Sequence, residues 1–149
     1  MVFTPVRSFI RPGLASSHPT NRLATANVDS TEIGIGEVLI LKGRIPEAVS
    51  YVRHAMNLVE TRQHKTAYDV AGQAESYSTL GKVDEALANR EFSATKKAAH
   101  LREARAWLKK SVRTWQQDPN HGSPDPMGGR EGDHAREELS KCQLALTKL

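Results

Sequence analysis

The chain has 149 residues, with 21 Lys plus Arg against 17 Asp plus Glu, six His, one Cys, 38% hydrophobic residues and 5% aromatic residues. That length suits one domain with its own core and is too short for a complete (β/α)8 barrel of ~250 residues. A single cysteine excludes an intramolecular disulfide framework and no apolar run approaches the ~20 residues of a membrane-spanning helix, so the residues point to a soluble, cytoplasmic protein.

Residues 1–30 hold Pro5, Pro12, Pro19, Arg7, Arg11, Arg22 and no acid before Asp29. No helical or alternating period is sustained there, which predicts a disordered arm; the same composition also describes an organelle-targeting peptide, and the two readings stay open. From Thr31 the pattern turns helical. Asp29, Ser30 and Thr31 supply cap-type residues, Ile33, Ile35, Val38, Leu39 and Ile40 follow, and Gly43 ends the segment. Pro46 suits the first turn of a second helix, about 46–61, in which Ala48, Val52, Ala55 and Val59 fall on one face.

Ala67, Val70, Ala71, Ala74 and Tyr77 then mark another helical face, and Gly81 with Glu85-Ala86 echoes Gly43 with Glu47-Ala48 at an offset of 38 residues. A period of that size is the signature of stacked supersecondary units. It predicts a turn near Gly81 and a further helix over 84–97. Leu101, Ala104, Leu108, Val112 and Trp115 give an apolar stripe on a helix of about 98–116, with Arg102, Arg105, Lys109 and Arg113 on a separate stripe. Lys96 to Arg113 carries seven basic residues against Glu103 alone, within a chain of net charge +4. Residues 118–132 hold three Pro and four Gly and predict a flexible loop. Asp133 then caps a last helix, 133–149, with Ala135, Leu139, Cys142, Leu146 and Leu149 on one side.

Ile35, Gly36, Leu39, Gly43, Glu47, Ala48, Val52 and Ala55, with Ala74, Tyr77, Leu80, Gly81, Glu85 and Ala86 in a second unit, resemble the tetratricopeptide repeat (TPR), a helix-turn-helix unit that stacks into an α-solenoid. The large apolar residue expected in the second unit's helix B falls on Arg90, whereas Glu103, Ala104, Leu108 and Ser111 look like another helix B, so the alternative to a helix over 84–97 is one long, interrupted hairpin in place of two regular ones. Residues 100–115 and 134–149 resemble the C-terminal repeat region of bacterial Ser/Thr protein kinases, without the kinase domain. The resemblance implies an all-α, TPR-like solenoid of antiparallel hairpins over 31–117, a capping helix over 133–149, and a groove that binds a peptide or a partner helix. Family groove positions fall on Ile33, Glu37, Ile40, Tyr68, Ala71, Glu75 and Ser78, of which Glu37, Tyr68, Glu75 and Ser78 are the expected partner contacts. Their acidity favours a basic ligand segment. The tail implies a protein kinase or signalling component as partner.

No catalytic set emerges. Ile33-Gly34-Ile35-Gly36-Glu37-Val38 imitates the start of a kinase glycine-rich loop, but Leu39 stands where its third glycine belongs; helix packing is the better reading. No two histidines stand four apart, the helical spacing that would aim both at one ion, so no metal is expected. Cys142 lies on an apolar helical face, where a free cysteine behaves as a small hydrophobe. The expectation is a non-catalytic adaptor or scaffold with no cofactor. The alternative is that the basic stripe Arg102, Arg105, Lys109 and Arg113, flanked by Trp107 and Trp115, binds nucleic acid or another anionic surface, although the residues favour a solvated outer face. Self-association through the first hairpin is left open.

Overall fold

A computed structural model describes residues 19–62, 66–117 and 128–149, with side chains described over 28–62, 66–117 and 132–149. The described chain is five α-helices: α1 (Pro19–Leu41), α2 (Ile45–Glu60), α3 (Ala67–Arg90), α4 (Ala94–Gln116) and α5 (Gly128–Thr147). The disordered arm expected over 1–30 is therefore too long. Pro19 to Ser30 belong to α1, and 1–18 lie outside the described residues. Likewise, 118–127 of the expected loop lie outside them, while Gly128 to Gly132 already form the first turns of α5. Asp133 sits inside that helix, paired with Arg136, rather than capping it.

The first hairpin follows the sequence closely. Gly43 has φ +76°, its N–H bonds the Ile40 carbonyl at 3.0 Å and the Arg44 N–H bonds the Leu39 carbonyl at 2.9 Å, which is a Schellman termination of α1. Pro46 occupies the first turn of α2, where its missing N–H costs no intrahelical bond. Ile45, Ala48, Val52, Ala55 and Val59 are all buried, as their spacing requires.

The second hairpin departs from the 38-residue echo. The chain does not turn at Gly81: α3 runs unbroken for 24 residues and ends at Arg90, and the helix expected over 84–97 does not exist as a unit. Gly81 is an approach point between helices. A Cβ built on it would lie 2.9 Å from Leu108 Cγ, so the missing side chain lets α3 and α4 close. The actual turn is Glu91-Phe92-Ser93, where Glu91 is extended at ψ 131° and the Ser93 side chain accepts the Lys96 N–H to cap α4. Thr66 and Asp69 form a capping box at the start of α3. Arg90, the position where the repeat pattern asks for a large apolar residue, instead donates to the Gly43 carbonyl at 3.1 Å.

Helix contacts run α1 to α2, α2 to α3, α3 to α4 and α4 to α5, with α1 and α5 also touching α3; α2 and α4 do not touch. Thus α3 lies between α1 and α5, which do not touch each other among the described residues. Ala88, Leu101, Ala104, Leu108 and Cys142 form one buried cluster with Leu139, Ala145 and Leu146 packed on it. Ala74, Trp115 and Ala135 form another. Ser111 Oγ donates to the Ala74 carbonyl at 2.8 Å, joining α4 to α3 within the core.

Two glycines within α1 separate packing from propensity. At Gly34 an added Cβ meets nothing within 4 Å, whereas at Gly36 it lies 2.5 Å from Val52 Cγ2. Gly34→Ala is expected to raise stability by about 1 kcal/mol, the helix propensity difference. For Gly36→Ala, crowding against a fully buried valine outweighs that gain and the expected loss is about 2 kcal/mol. Thermal melts check the order: Gly34→Ala above wild type, wild type above Gly36→Ala.

Candidate functional site

Positions 68, 71, 75, 78 and 82 of α3 recur at three- and four-residue steps and so share a face. Tyr68 is 77% exposed, while Ala71, Glu75, Ser78 and Lys82 are half-buried. Glu37 joins them from α1: its carboxylate accepts from Lys82 Nζ at 2.6 Å. Tyr68, Glu75 and Ser78 thus share a face of α3 with Lys82, and Lys82 ties Glu37 of α1 to the far end of that face, 14 residues or ~21 Å of helix from Tyr68. The structure does not bring Ile33 there: it is 4% exposed and part of the core, and its apolar side chain is worth more against neighbouring helices than in a groove. Lys82 was missed because the pattern placed a turn there, although its i+4 step from Ser78 is a readable signal.

Glu85 extends this face toward α5. Its pKa is pushed up to about 7, first by burial and then by the Glu138 carboxylate, with Lys82 and Lys141 acting in the opposite sense. The folded chain holds this proton more tightly than the unfolded chain, for which the ordinary value is 4.5. Stability is therefore expected to fall as pH rises from about 4.5 to about 7 and to level off above, by about 2 kcal/mol after allowance for solvent at a half-buried site. Glu85→Gln should flatten that slope in urea titrations taken across the interval; an unchanged slope would assign it to other groups.

A further cluster lies on the α4 side of α3. Tyr77 and Trp107 stack with centroids 5.9 Å apart at 23°, and Lys110 Nζ sits 4.8 Å from the Trp107 ring centroid. Tyr77 donates to Glu60 at 3.2 Å and accepts from Gln73 Nε2 at 2.9 Å. Lys110 is thereby engaged within the fold rather than offered to a ligand. Trp115 is 5% exposed, in the core. Of the basic stripe, Arg102, Lys109 and Arg113 are exposed and Arg105 is half-buried. None of the four enters an ion pair among the described residues.

The remaining candidates resolve into packing. The glycines of Ile33 to Val38 lie within α1, so they form no phosphate loop. His54 pairs with Glu32 at 2.7 Å, His100 lies between Asp84 and Glu91, and His134 neighbours Glu137; His64 and His121 fall outside the described residues. No group of three or more His, Cys, Asp or Glu is arranged to hold a metal among the described residues. Cys142 is buried, its thiol donates to the Leu101 carbonyl at 3.2 Å, and burial pushes its pKa up, which makes the thiolate scarce.

Comparison of the chain with protein families, curated proteins and solved structures finds no match. Among the described residues, no helix is long and apolar enough to cross a membrane.

Proposed function

We propose that this chain is a non-catalytic scaffold of the tetratricopeptide type that binds a peptide or partner helix along the α1, α3 and α5 side. The observation that supports this most is the helix contact pattern. Helix α3 touches α1 and α5 as well as its chain neighbours α2 and α4, and contact between alternate helices is what a stacked repeat with an extended binding surface would require. Glu37, Tyr68, Glu75 and Ser78 line it, with an aromatic ring at the edge available to a ligand. Carboxylates at Glu37, Glu75 and Glu138 exceed the cations Lys82 and Lys141, which favours a basic ligand segment. The tail's likeness to repeat-bearing kinases suggests a signalling protein as the source of that segment, and a single buried thiol fits the cytoplasm. Selection from a random dodecapeptide display library is expected to return Lys- or Arg-rich binders that lose at least tenfold in affinity on Tyr68→Ala and on Glu75→Lys. Binders indifferent to both substitutions would overturn the assignment.

The unpaired row on α4 supports a second reading, binding of an anionic surface or nucleic acid by Arg102, Arg105, Lys109 and Arg113. Counterion release predicts steeply salt-dependent binding to any duplex. Binding that ignores salt, or no binding at low salt, would end it.

A further inference from the structure

The turns at one end of the molecule carry side chains that no contact within the chain accounts for. The α1–α2 turn and the α3–α4 turn meet at this end, because Arg90 Nη2 donates to the Gly43 carbonyl at 3.1 Å. Leu101 of α4 packs with Cys142 of α5 and Trp115 with Ala135, so α5 runs antiparallel to α4 and ends beside its first turn. Phe92, in the α3–α4 turn, is 106% exposed, and Leu41, the last residue of α1, is 87% exposed. Six cations share this end, Lys42, Arg44, Arg90, Lys96, Lys97 and Lys148, against the acids Glu47 and Glu91. Glu47 is held by Arg44 and Glu91 lies near His100. Lys42, Lys96, Lys97 and Lys148 enter no ion pair among the described residues. Two of these lysines also run against their helix. Lys96 and Lys97 stand at the start of α4, whose first turn contains no acid, although the positive end of the helix dipole favours carboxylates there. Side chains on a helix lean toward its N-terminus, so both amines are carried toward Phe92. A local rule broken with no compensating contact inside the fold is what a binding surface leaves behind.

We propose that this end of the molecule docks on an anionic lipid surface, with Phe92 and Leu41 entering the boundary between headgroups and acyl chains and the surrounding lysines and arginines lying against the headgroups. Charge and apolar tips select the occupant together. Cations alone suit any polyanion, but an aliphatic leucine gains nothing from a phosphate backbone in water. Apolar tips among cations match the layering of a bilayer, in which an amphipathic surface buries its apolar side ~5–10 Å deep while its basic residues meet anionic lipid. Lysine suits that boundary, since its methylene stem lies along apolar surface while the amine stays with the phosphates. Among the described residues no helix is long and apolar enough to cross a membrane, so the contact is peripheral, made by the turns. Two apolar tips and a group of cations give a reversible attachment that requires anionic lipid. The inference is independent of the peptide-binding reading, because Tyr68 stands at the opposite end of α3 from Arg90.

Co-sedimentation of the full chain with vesicles is expected to show binding when phosphatidylserine is mixed into phosphatidylcholine, at least tenfold weaker binding to phosphatidylcholine alone, and a difference that shrinks as salt is added. Phe92→Ser should weaken binding at least fivefold with an unchanged melting temperature, because that side chain is fully exposed. Lys96→Glu combined with Lys97→Glu should weaken it at least tenfold while the melting temperature holds or rises, since acids suit the start of a helix; unfolding then does not explain the loss. Lys109→Glu combined with Arg113→Glu, on the exposed row of α4, should leave vesicle binding within twofold. An environment-sensitive fluorophore on Phe92→Cys in a Cys142→Ser background should shift its emission to the blue on phosphatidylserine vesicles and not on duplex DNA. No binding to phosphatidylserine vesicles overturns the proposal, as does binding that survives Phe92→Ser and the Lys96, Lys97 pair or is lost with the Lys109, Arg113 pair. A fluorophore that stays in water while duplex DNA competes for the site would make this end a general polyanion site and overturn it too.

Discussion

Arg62→Ala is expected to lower the unfolding free energy by about 3 kcal/mol, the cost of leaving buried carboxylates without their counterion. The guanidinium follows the end of α2 and donates to Asp29 of α1 at 2.6 Å and to Asp69 of α3. The side chain of Arg62 is 18% exposed and those of Asp29 and Asp69 only 4% and 5%. The two acids are not equivalent. Burial raises the Asp29 pKa despite the arginine, and one of its oxygens, Oδ1, has no hydrogen-bond partner. Burial acts on Asp69 too, but the Thr66 N–H and Arg62 outweigh it and hold its pKa below the ordinary value. Removing the arginine therefore strands one acid that already resists ionisation and one that depends on its charge. Asp29→Asn should be nearly neutral, Asp69→Asn should cost about 1 kcal/mol through loss of the capping box, and Arg62→Ala should exceed both. Urea denaturation gives all three; an Arg62→Ala loss under 1 kcal/mol would show that the cluster does not hold the helices together.

Leu108→Ala is expected to cost about 4 kcal/mol, toward the upper part of the range for a fully buried leucine whose surroundings relax only partly. Leu108 is 0% exposed and shares its cluster with Ala88, Leu101, Ala104 and Cys142. Across from it stands Gly81, which has no side chain to collapse into the cavity. The same geometry gives a sign test. In wild type, Gly81→Ala crowds Leu108 and should destabilise by about 1 kcal/mol, the net of overpacking against the helix-propensity gain. In Leu108→Ala the crowding is gone, the methyl fills part of the void, and Gly81→Ala should stabilise. A double-mutant cycle that shows simple additivity would contradict the contact.

Local signals carried the first hairpin. Gly43 requires a left-handed turn and Ala48, Val52, Ala55 and Val59 require a buried face, and both requirements are written within a few residues of where they act. The second hairpin was misread because glycine has two uses. Gly43 serves a backbone conformation and Gly81 serves an interhelical distance, and a sequence shows the residue without the reason. The real turn at Glu91 to Ser93 carries neither Gly nor Pro. Asp29 looked like a cap and is a buried ionic group inside α1, because its partner Arg62 stands 33 residues away. The Glu37–Lys82 pair, the Tyr77–Trp107 stack and the Arg90–Gly43 bond were illegible for the same cause: each depends on how helices meet, which periodicity does not encode. Of the candidate face, the α3 row and Glu37 were legible only through the repeat resemblance, and Ile33, which the resemblance also places there, is buried in the core.

Among the described residues, helix α3 touches all four of the other helices, and no other helix does. That makes it the axle of the molecule, and it fixes how the molecule comes apart. A peripheral helix can detach while the rest persists, but loss of α3 leaves only two separate pairs, α1 with α2 and α4 with α5. Amide protons in the middle of α3 should exchange with solvent only through whole-molecule unfolding, and those of α5 through a smaller opening at lower free energy.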